Sequence, residues 1–125
     1  MSSPKYLLDT NSCIFLITRV RPLLFARVES CASDDVAISA IVAAELVIGF
    51  LKEGLDQPLE AFLKAVPVLP FGRLEANAYA RVPFKRGKLD RLIAAHALAL
   101  DAILVTANAR DFTDVPGLKV EDWTI

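Results

Sequence analysis

A chain of 125 residues has the usual length of one domain, so we predict a single domain over residues 1–125. Its formal net charge of −1, from 14 basic and 15 acidic residues, excludes a generally basic nucleic-acid-binding protein. Hydrophobic residues make up 54% of the chain, which is more than a small monomer needs for its core, so we expect some of them to cover an interface.

Two long apolar stretches, residues 36–51 and 92–105, are interrupted by Glu45 and Asp101 respectively. A carboxylate near the centre of a bilayer is costly, so we predict that neither stretch spans a membrane. Residues 1–5 lack the charged and apolar regions of a signal peptide, and we therefore expect a cytoplasmic protein.

The cysteines and the histidine do not indicate a zinc site. Cys13 and Cys31 have neither CxxC spacing nor a histidine cluster, since His96 is the only histidine. We interpret the cysteines as small core residues in a reducing compartment, and His96 as a buried core residue rather than a catalytic one.

Short apolar runs alternate with helical stripes along the chain. In chain order the pattern predicts a strand at 5–9, a helix through 14–17, a helix from Pro22 to about Cys31, a strand at 36–39, a helix at 40–52, a helix from about 57 to 66, a short strand at 68–69, helices at 74–82 and 89–100, and strands at 102–106 and 118–121. Strands that alternate with helices predict an α/β fold with a central parallel sheet of four to five strands, covered on both faces.

Three acidic residues stand at the edges of apolar runs. Asp9 ends the first strand, Glu45 lies in the helix after the second strand, and Asp90 begins a later helix. Ligands of parallel sheets bind beyond the carboxyl ends of the strands, where these three positions can meet. Converging carboxylates repel one another unless a cation compensates them, and oxygen ligands suit Mg²⁺ or Mn²⁺. The pattern therefore predicts a metal site.

Each acid also has a purely structural interpretation. Asp9 can bond the amides of Asn11 and Ser12 at a turn, which explains it as well as metal binding does. Asp90 can be a first-turn acid favoured by the helix dipole, which is the commoner case for a single aspartate. Glu45 has no cation within one turn of its apolar helix, so a functional role is favoured there.

Four polar residues lie beside the acids or at neighbouring strand ends. They are Thr10, Asn11, Ser39 and Thr106. We expect them to position water or phosphate, although helix capping explains Asn11 and Ser39 equally well.

Five basic residues surround Asp90. They are Arg81, Lys85, Arg86, Lys88 and Arg91. A basic strip beside an acidic pocket suits an enzyme that cuts a phosphodiester, because cations hold the backbone while carboxylates hold a metal. We therefore propose these residues as contacts to a nucleic-acid backbone, although charge alone favours a solvated loop and helix end.

Five strings of sequence, taken together and in this order, point to a known family. They are LLDTN at 7–11, ISA at 38–40 with AEL at 44–46, GKLDRLIAAHA at 87–97, LVTAN at 104–108 and VPGLKVEDW at 115–123. They resemble PIN-domain proteins, specifically ribonuclease toxins of the VapC type, over nearly the whole chain.

The resemblance implies a three-layer α/β/α PIN-like domain that acts as a Mg²⁺- or Mn²⁺-dependent endoribonuclease, the toxin of a toxin–antitoxin pair. It assigns the metal-binding and catalytic roles to Asp9, Glu45 and Asp90. The fourth acidic place of the wider family falls on Asn108, which offers only a neutral carbonyl oxygen. Asp111 is near enough to substitute as a metal ligand, or it caps the turn after the strand.

In this interpretation Asp9 and Asp90 ligate the metal while Glu45 holds or deprotonates a water, and in-line attack leaves a 5′-phosphate and a 3′-hydroxyl. Single-stranded or looped RNA is the expected substrate, because duplex RNA hides its bases and few aromatic residues look exposed. The five basic residues around Asp90 are then the expected RNA contacts. One alternative is a catalytically weak PIN-fold module that binds RNA or a partner without cutting. A second, a phospho-acceptor receiver domain, is disfavoured because the strands at 36–39 and 68–69 end in no aspartate.

The resemblance also implies a cognate VapB-type antitoxin that blocks the site. An apolar stripe on two helices exceeds what one sheet face needs, and we predict an antitoxin groove formed by Ile14, Phe15, Ile41, Leu46 and Phe50. We expect a homodimer contact beside it within a toxin–antitoxin hetero-oligomer, with DNA bound only through the antitoxin. Core packing is the expected role of about half of the stripe.

The segment between Tyr79 and Asp90 departs from the family pattern. Pro83 interrupts a helix that is longer in relatives, and Lys85 and Arg86 precede Gly87. We expect altered RNA access or altered dimer packing there.

Overall fold

A single parallel sheet organises residues 3–125, which are the residues that the computed structural model describes. Its strands are β1 (Tyr6–Leu8), β2 (Val36–Ser39), β3 (Val68–Leu69), β4 (Ile103–Val105) and β5 (Lys119–Glu121). Met1 and Ser2, which belong to the predicted domain range, lie outside the described residues. The α/β fold and the five-stranded parallel sheet match the prediction.

α-Helices connect the strands from β1 to β4. They are α1 (Thr10–Thr18), α2 (Pro22–Ser30), α3 (Ala40–Lys52), α4 (Asp56–Ala65), α5 (Arg73–Ala78) and α6 (Asp90–Leu100). Short 3₁₀ turns cover Ser33–Asp35, Tyr79–Arg81 and Ala109–Phe112. Among the described residues, no helix is both long and apolar enough to cross a bilayer.

The strand order β3-β2-β1-β4-β5 explains the layered architecture. Parallel crossovers are right-handed, so the path from β1 through β2 to β3 places α1 to α4 on one face of the sheet. The chain then reverses direction across the sheet to reach β4, which places α5 and α6 on the other face. The order therefore reverses between β1 and β4, and ligands bind at such a point beyond the carboxyl ends of the strands.

Central strands carry the core. Leu7, Leu8, Ile38 and Leu104 are fully buried, as expected for strands of a parallel sheet covered on both faces. Cys13 is also buried, and burial raises the pKa of its thiol.

Two predicted groove residues on α3 belong to this core instead. Leu46 and Phe50 are only 1% and 8% exposed. They lie one helical turn apart, on the side of α3 that faces the core. The prediction that they line an antitoxin groove is therefore wrong, whereas Ile14, Phe15 and Ile41 are half-buried against the core.

The chain before Asp90 is less helical than the hydrophobic pattern predicts. The α-helix ends at Ala78, a 3₁₀ turn follows, and Val82 is extended with φ −104° and ψ 124°. The ring of Pro83 disfavours helical geometry at the residue before it, which explains the early end.

Candidate active site

A cleft of about 300 Å³ opens at the carboxyl ends of the central strands. It brings together nine of the predicted site residues, namely Asp9, Thr10, Asn11, Glu45, Lys88, Asp90, Thr106, Asn108 and Asp111. Acids from the end of β1, from α3 and from the start of α6 therefore share one space, although they are far apart in sequence.

Asp9 combines a structural role with its place in the cleft. It is the N-cap of α1, and its Oδ1 accepts a hydrogen bond of 2.8 Å from the amide of Ser12. Its own amide donates to the carbonyl of Val105 at 3.1 Å, which ties the end of β1 to β4. The carboxylate is thus fixed at the sheet edge with 7% exposure.

Glu45 is held by a neighbour on another helix. The hydroxyl of Thr10 donates to Glu45 Oε1 at 2.5 Å, a short charge-assisted bond that links α1 to α3. Thr10 therefore positions the glutamate, and its expected role in positioning water or phosphate stays a prediction.

Ser39 acts below the cleft rather than inside it. Its Oγ accepts from the amide of Ile41 at 3.1 Å, so it caps the helix that carries Glu45. The same oxygen lies 2.8 Å from Nδ1 of His96, which is 1% exposed. Burial lowers the pKa of His96, so the imidazole is neutral near pH 7 and belongs to the core.

Asp90 presents the most informative atom of the cleft. It is the first residue of α6, where the helix dipole favours a negative charge. Its Oδ1 is buried and has no hydrogen-bond partner among residues 3–125. A buried carboxylate oxygen without a donor is costly, and a cation or a hydrogen-bond donor at this point would remove that cost.

Arg91 is not an RNA contact, contrary to the prediction. It is 1% exposed, and both Nη atoms lie 3.1 Å from Asp114 Oδ1. The bond from Arg91 holds the pKa of Asp114 below its usual range. Nη2 of Arg91 also donates to the carbonyl of Asp111 at 2.8 Å. Arg91 thus fastens the start of α6 to the turn that carries Asp111.

The remaining predicted RNA contacts are exposed. Arg81, Lys85, Arg86 and Lys88 reach solvent, and Lys88 lines the cleft. Sequence reasoning missed Phe84, which lies among them and is 70% exposed. The sequence signal for its exposure was its position between a proline and two basic residues, because such a segment is typical of a surface loop in which a ring has few apolar neighbours.

Residues beyond β4 form one rim of the cleft. Thr106 is buried, and its Oγ1 accepts from the amide of Asn108 at 3.0 Å, so it shapes the turn. Asn108 and Asp111 are exposed, and the amide of Asp111 donates to the Asn108 carbonyl at 2.9 Å.

The side chains that line the cleft offer ligand atoms that suit a hard cation such as Mg²⁺ or Mn²⁺. Every acidic or amide side chain in the cleft offers oxygen, and neither histidine nor cysteine lines it. Within residues 3–125, however, no three His, Cys, Asp or Glu side chains are arranged to hold a metal ion. Asp9 and Glu45 each give one carboxylate oxygen to a hydrogen bond, with Ser12 and Thr10 respectively, and keep the other oxygen available. Metal binding therefore requires the acids to move closer together.

Comparison with known proteins agrees with this geometry. The PIN domain family model matches residues 6–118. The chain is 33% identical to "Ribonuclease VapC2" of Rickettsia felis, over 94% of this chain and 97% of that protein. It is 32% identical to "tRNA(fMet)-specific endonuclease VapC" of Shigella flexneri, over 96% and 98% of the two chains.

Solved structures show the same likeness. The crystal structure of VapBC2 from Rickettsia felis, bound to a DNA fragment from its promoter, contains a chain that superimposes with a TM-score of 0.84 at 32% identity. The match covers 94% of this chain and 98% of that chain. The chain therefore belongs to the PIN-domain family, in its VapC-type group.

Proposed function

We propose that this protein is a Mg²⁺- or Mn²⁺-dependent endoribonuclease that acts as the toxin of a toxin–antitoxin pair. The observation that carries the proposal is the cleft that Asp9, Glu45 and Asp90 all line, together with the buried Oδ1 of Asp90, which has no partner among residues 3–125. The relatives named as ribonucleases and a tRNA endonuclease over nearly the whole chain support it.

Asp90 and Asp9 would hold the metal, and the unpartnered Oδ1 of Asp90 is the oxygen best prepared for it. When bound, such an ion lowers the pKa of a water molecule and neutralises charge on the phosphate. Asn108 and Asp111 offer further oxygens at the rim.

The protein side chains supply position and proton transfer. Thr10 holds Glu45 by one carboxylate oxygen, which directs the glutamate to accept a proton from the attacking water. Lys88 lines the cleft and attracts the phosphate. Arg91 keeps Asp90 and the Asp111 turn in fixed relation through its bonds to Asp114 and to the Asp111 carbonyl.

Cleavage of a mixed pool of single-stranded and structured RNA tests the proposal. We expect cutting in Mg²⁺ or Mn²⁺, none in EDTA, and loss of cutting in both Asp9→Asn and Asp90→Asn. Asp56→Asn, an exposed acid at the start of α4, is the matched control and should cut normally. RNA binding without turnover in saturating Mn²⁺ would instead indicate a PIN-fold binding module.

The antitoxin partner is proposed from the VapBC neighbours and from an apolar groove. This groove of about 490 Å³ lies between α1, α2 and α4, and its lining includes Ile17, Phe25, Val28 and Phe62. Such a surface suits the apolar face of an amphipathic helix. We expect Phe62→Glu to abolish co-purification with the antitoxin while RNA cleavage remains.

A homodimer contact is proposed on the outer face of α3. Ile48 and Leu51 are 62% and 51% exposed, and Leu55 follows them with 41% exposure. They are among the apolar residues in excess of the core, which the composition led us to expect at an interface. Ile48→Glu should shift the protein to monomer in sedimentation analysis if this face is the contact.

A further inference from the structure

We propose that Phe84 is a stacking platform for an unpaired base of the RNA substrate, next to the cleft. The inference rests on the proposed nuclease function and adds a residue that fixes the position of the RNA strand relative to the acids of the cleft. An aromatic ring with 70% exposure is unusual, because burial of such a ring is worth several times more than that of a small side chain.

The local backbone explains why the ring stays in solvent. Pro83 precedes it, and a turn follows in which the amide of Lys88 donates to the carbonyl of Lys85 at 3.3 Å. Gly87 has φ +73°, a left-handed conformation that lets the chain return directly to the cleft. Phe84 thus directly precedes a tight turn that leads to the cleft.

Charge around the ring favours a nucleic acid over an apolar partner. The exposed residues Arg81, Lys85, Arg86 and Lys88 flank it in the sequence, and residues 79–89 contain no acid. Only Lys85 has an acidic partner among the described residues, Asp114 at 3.7 Å. Basic side chains that track a backbone, with an aromatic ring between them, are the combination by which proteins bind single strands.

The distance to the cleft fits a bound strand. Gly87 and Lys88 line the cleft, and Phe84 lies three residues before Gly87. Three residues span at most about 11 Å, which is about three stacked nucleotides of a single strand. A base on Phe84 would therefore fix the register of the strand relative to the acids.

Binding of a short unstructured RNA in EDTA, followed by fluorescence anisotropy, tests the proposal without turnover. We expect Phe84→Ala to weaken binding by about 5- to 100-fold, and Phe84→Trp to retain it. Leu74→Ala is the matched control, because Leu74 is 74% exposed on α5 and does not line the cleft. It should bind as the unmodified protein does.

Two further measurements separate stacking from charge and from folding. The dependence of affinity on salt should be unchanged in Phe84→Ala, since no cation is lost. A series of RNAs, each with one abasic site at a different position, locates the stacked base. Loss of the base at one position should weaken binding to the unmodified protein, and the same RNA should bind Phe84→Ala as tightly as the intact RNA does. Quenching of the indole in Phe84→Trp should report contact, because Trp123 is 3% exposed and shielded.

Equal RNA affinity of Phe84→Ala and the unmodified protein would overturn the stacking role, while cleavage by both would leave the nuclease proposal standing. Base-dependent binding through Phe84 without any cleavage would support the stacking role and reject the nuclease. Absence of RNA binding by the unmodified protein would reject both.

Discussion

Replacing Asp90 by asparagine should stabilise the metal-free protein although it removes a functional group. The buried Oδ1 of Asp90 has no partner among residues 3–125, and a buried acceptor without a partner costs about 1–3 kcal/mol, with more for a charged one. Asparagine keeps the shape, and because its amide stays without a partner at the same place, it relieves only the additional cost of burying a charge. It also loses the favourable interaction with the dipole of α6, about 0.3–1 kcal/mol. The net gain in the free energy of unfolding should be about 1 kcal/mol.

The gain is large enough to measure by thermal unfolding. A chain of 125 residues, at about 2.1 cal/mol/K per residue, has an unfolding entropy of about 260 cal/mol/K, so 1 kcal/mol shifts Tm by about 4 °C. Mn²⁺ at about 100 times its Kd adds about 2.7 kcal/mol, which raises Tm of the unmodified protein by about 10 °C. Asp90→Asn should lose most of that increase, so the order of the two Tm values reverses between EDTA and Mn²⁺.

Asp56→Asn provides the control, because it makes the same chemical change at the first residue of α4 on the exposed surface. It should lower Tm slightly and respond to Mn²⁺ like the unmodified protein. If Asp90→Asn behaves as Asp56→Asn does in both solutions, Asp90 is a helix-dipole residue and no metal ligand.

Three other predictions concern single contacts. The pKa of His96 is lowered by burial, so the folded state favours a neutral imidazole. The free energy of unfolding from urea titrations should therefore be highest above the unfolded pKa of about 6.5 and fall as the pH drops below it. It should fall less steeply in His96→Gln, which has no group that titrates there. The pKa of Asp114 is depressed chiefly by its bond to Arg91, so Asp114→Asn should lower Tm at pH 7 by more than Asp101→Asn, which breaks only an exposed pair. The difference should begin to shrink below about pH 4, where the unfolded carboxyl takes up a proton, and vanish only when the pH falls below the depressed pKa of the folded carboxyl. Lys88→Gln should weaken RNA binding at all sequences and reduce the salt slope by about 1, whereas an unchanged slope would contradict its contact with phosphate.

Local sequence patterns account for the architecture and for the place of the acids. Alternating strands and helices are enough to predict a parallel sheet, and the carboxyl ends of such strands share one edge. Asp9, at the end of β1, and Asp90, at the start of α6, are therefore predicted to reach the same space. The cleft contains both.

Other features depend on contacts that the local sequence does not show. Arg91 is buried because Asp114, 23 residues later, accepts from its guanidinium, and nothing near Arg91 in sequence indicates that partner. Leu46 and Phe50 share a helix face, but periodicity does not tell which of two apolar faces of α3 meets the sheet.

Analysis of the product ends of a single cleaved RNA in Mn²⁺ tests the central claim most directly. Water attack promoted by Glu45 within the acidic cleft predicts a 5′-phosphate and a 3′-hydroxyl, with no product in EDTA. A 2′,3′-cyclic phosphate, or cutting that continues in EDTA, would contradict the account, because attack by the neighbouring 2′-hydroxyl does not need this set of carboxylates.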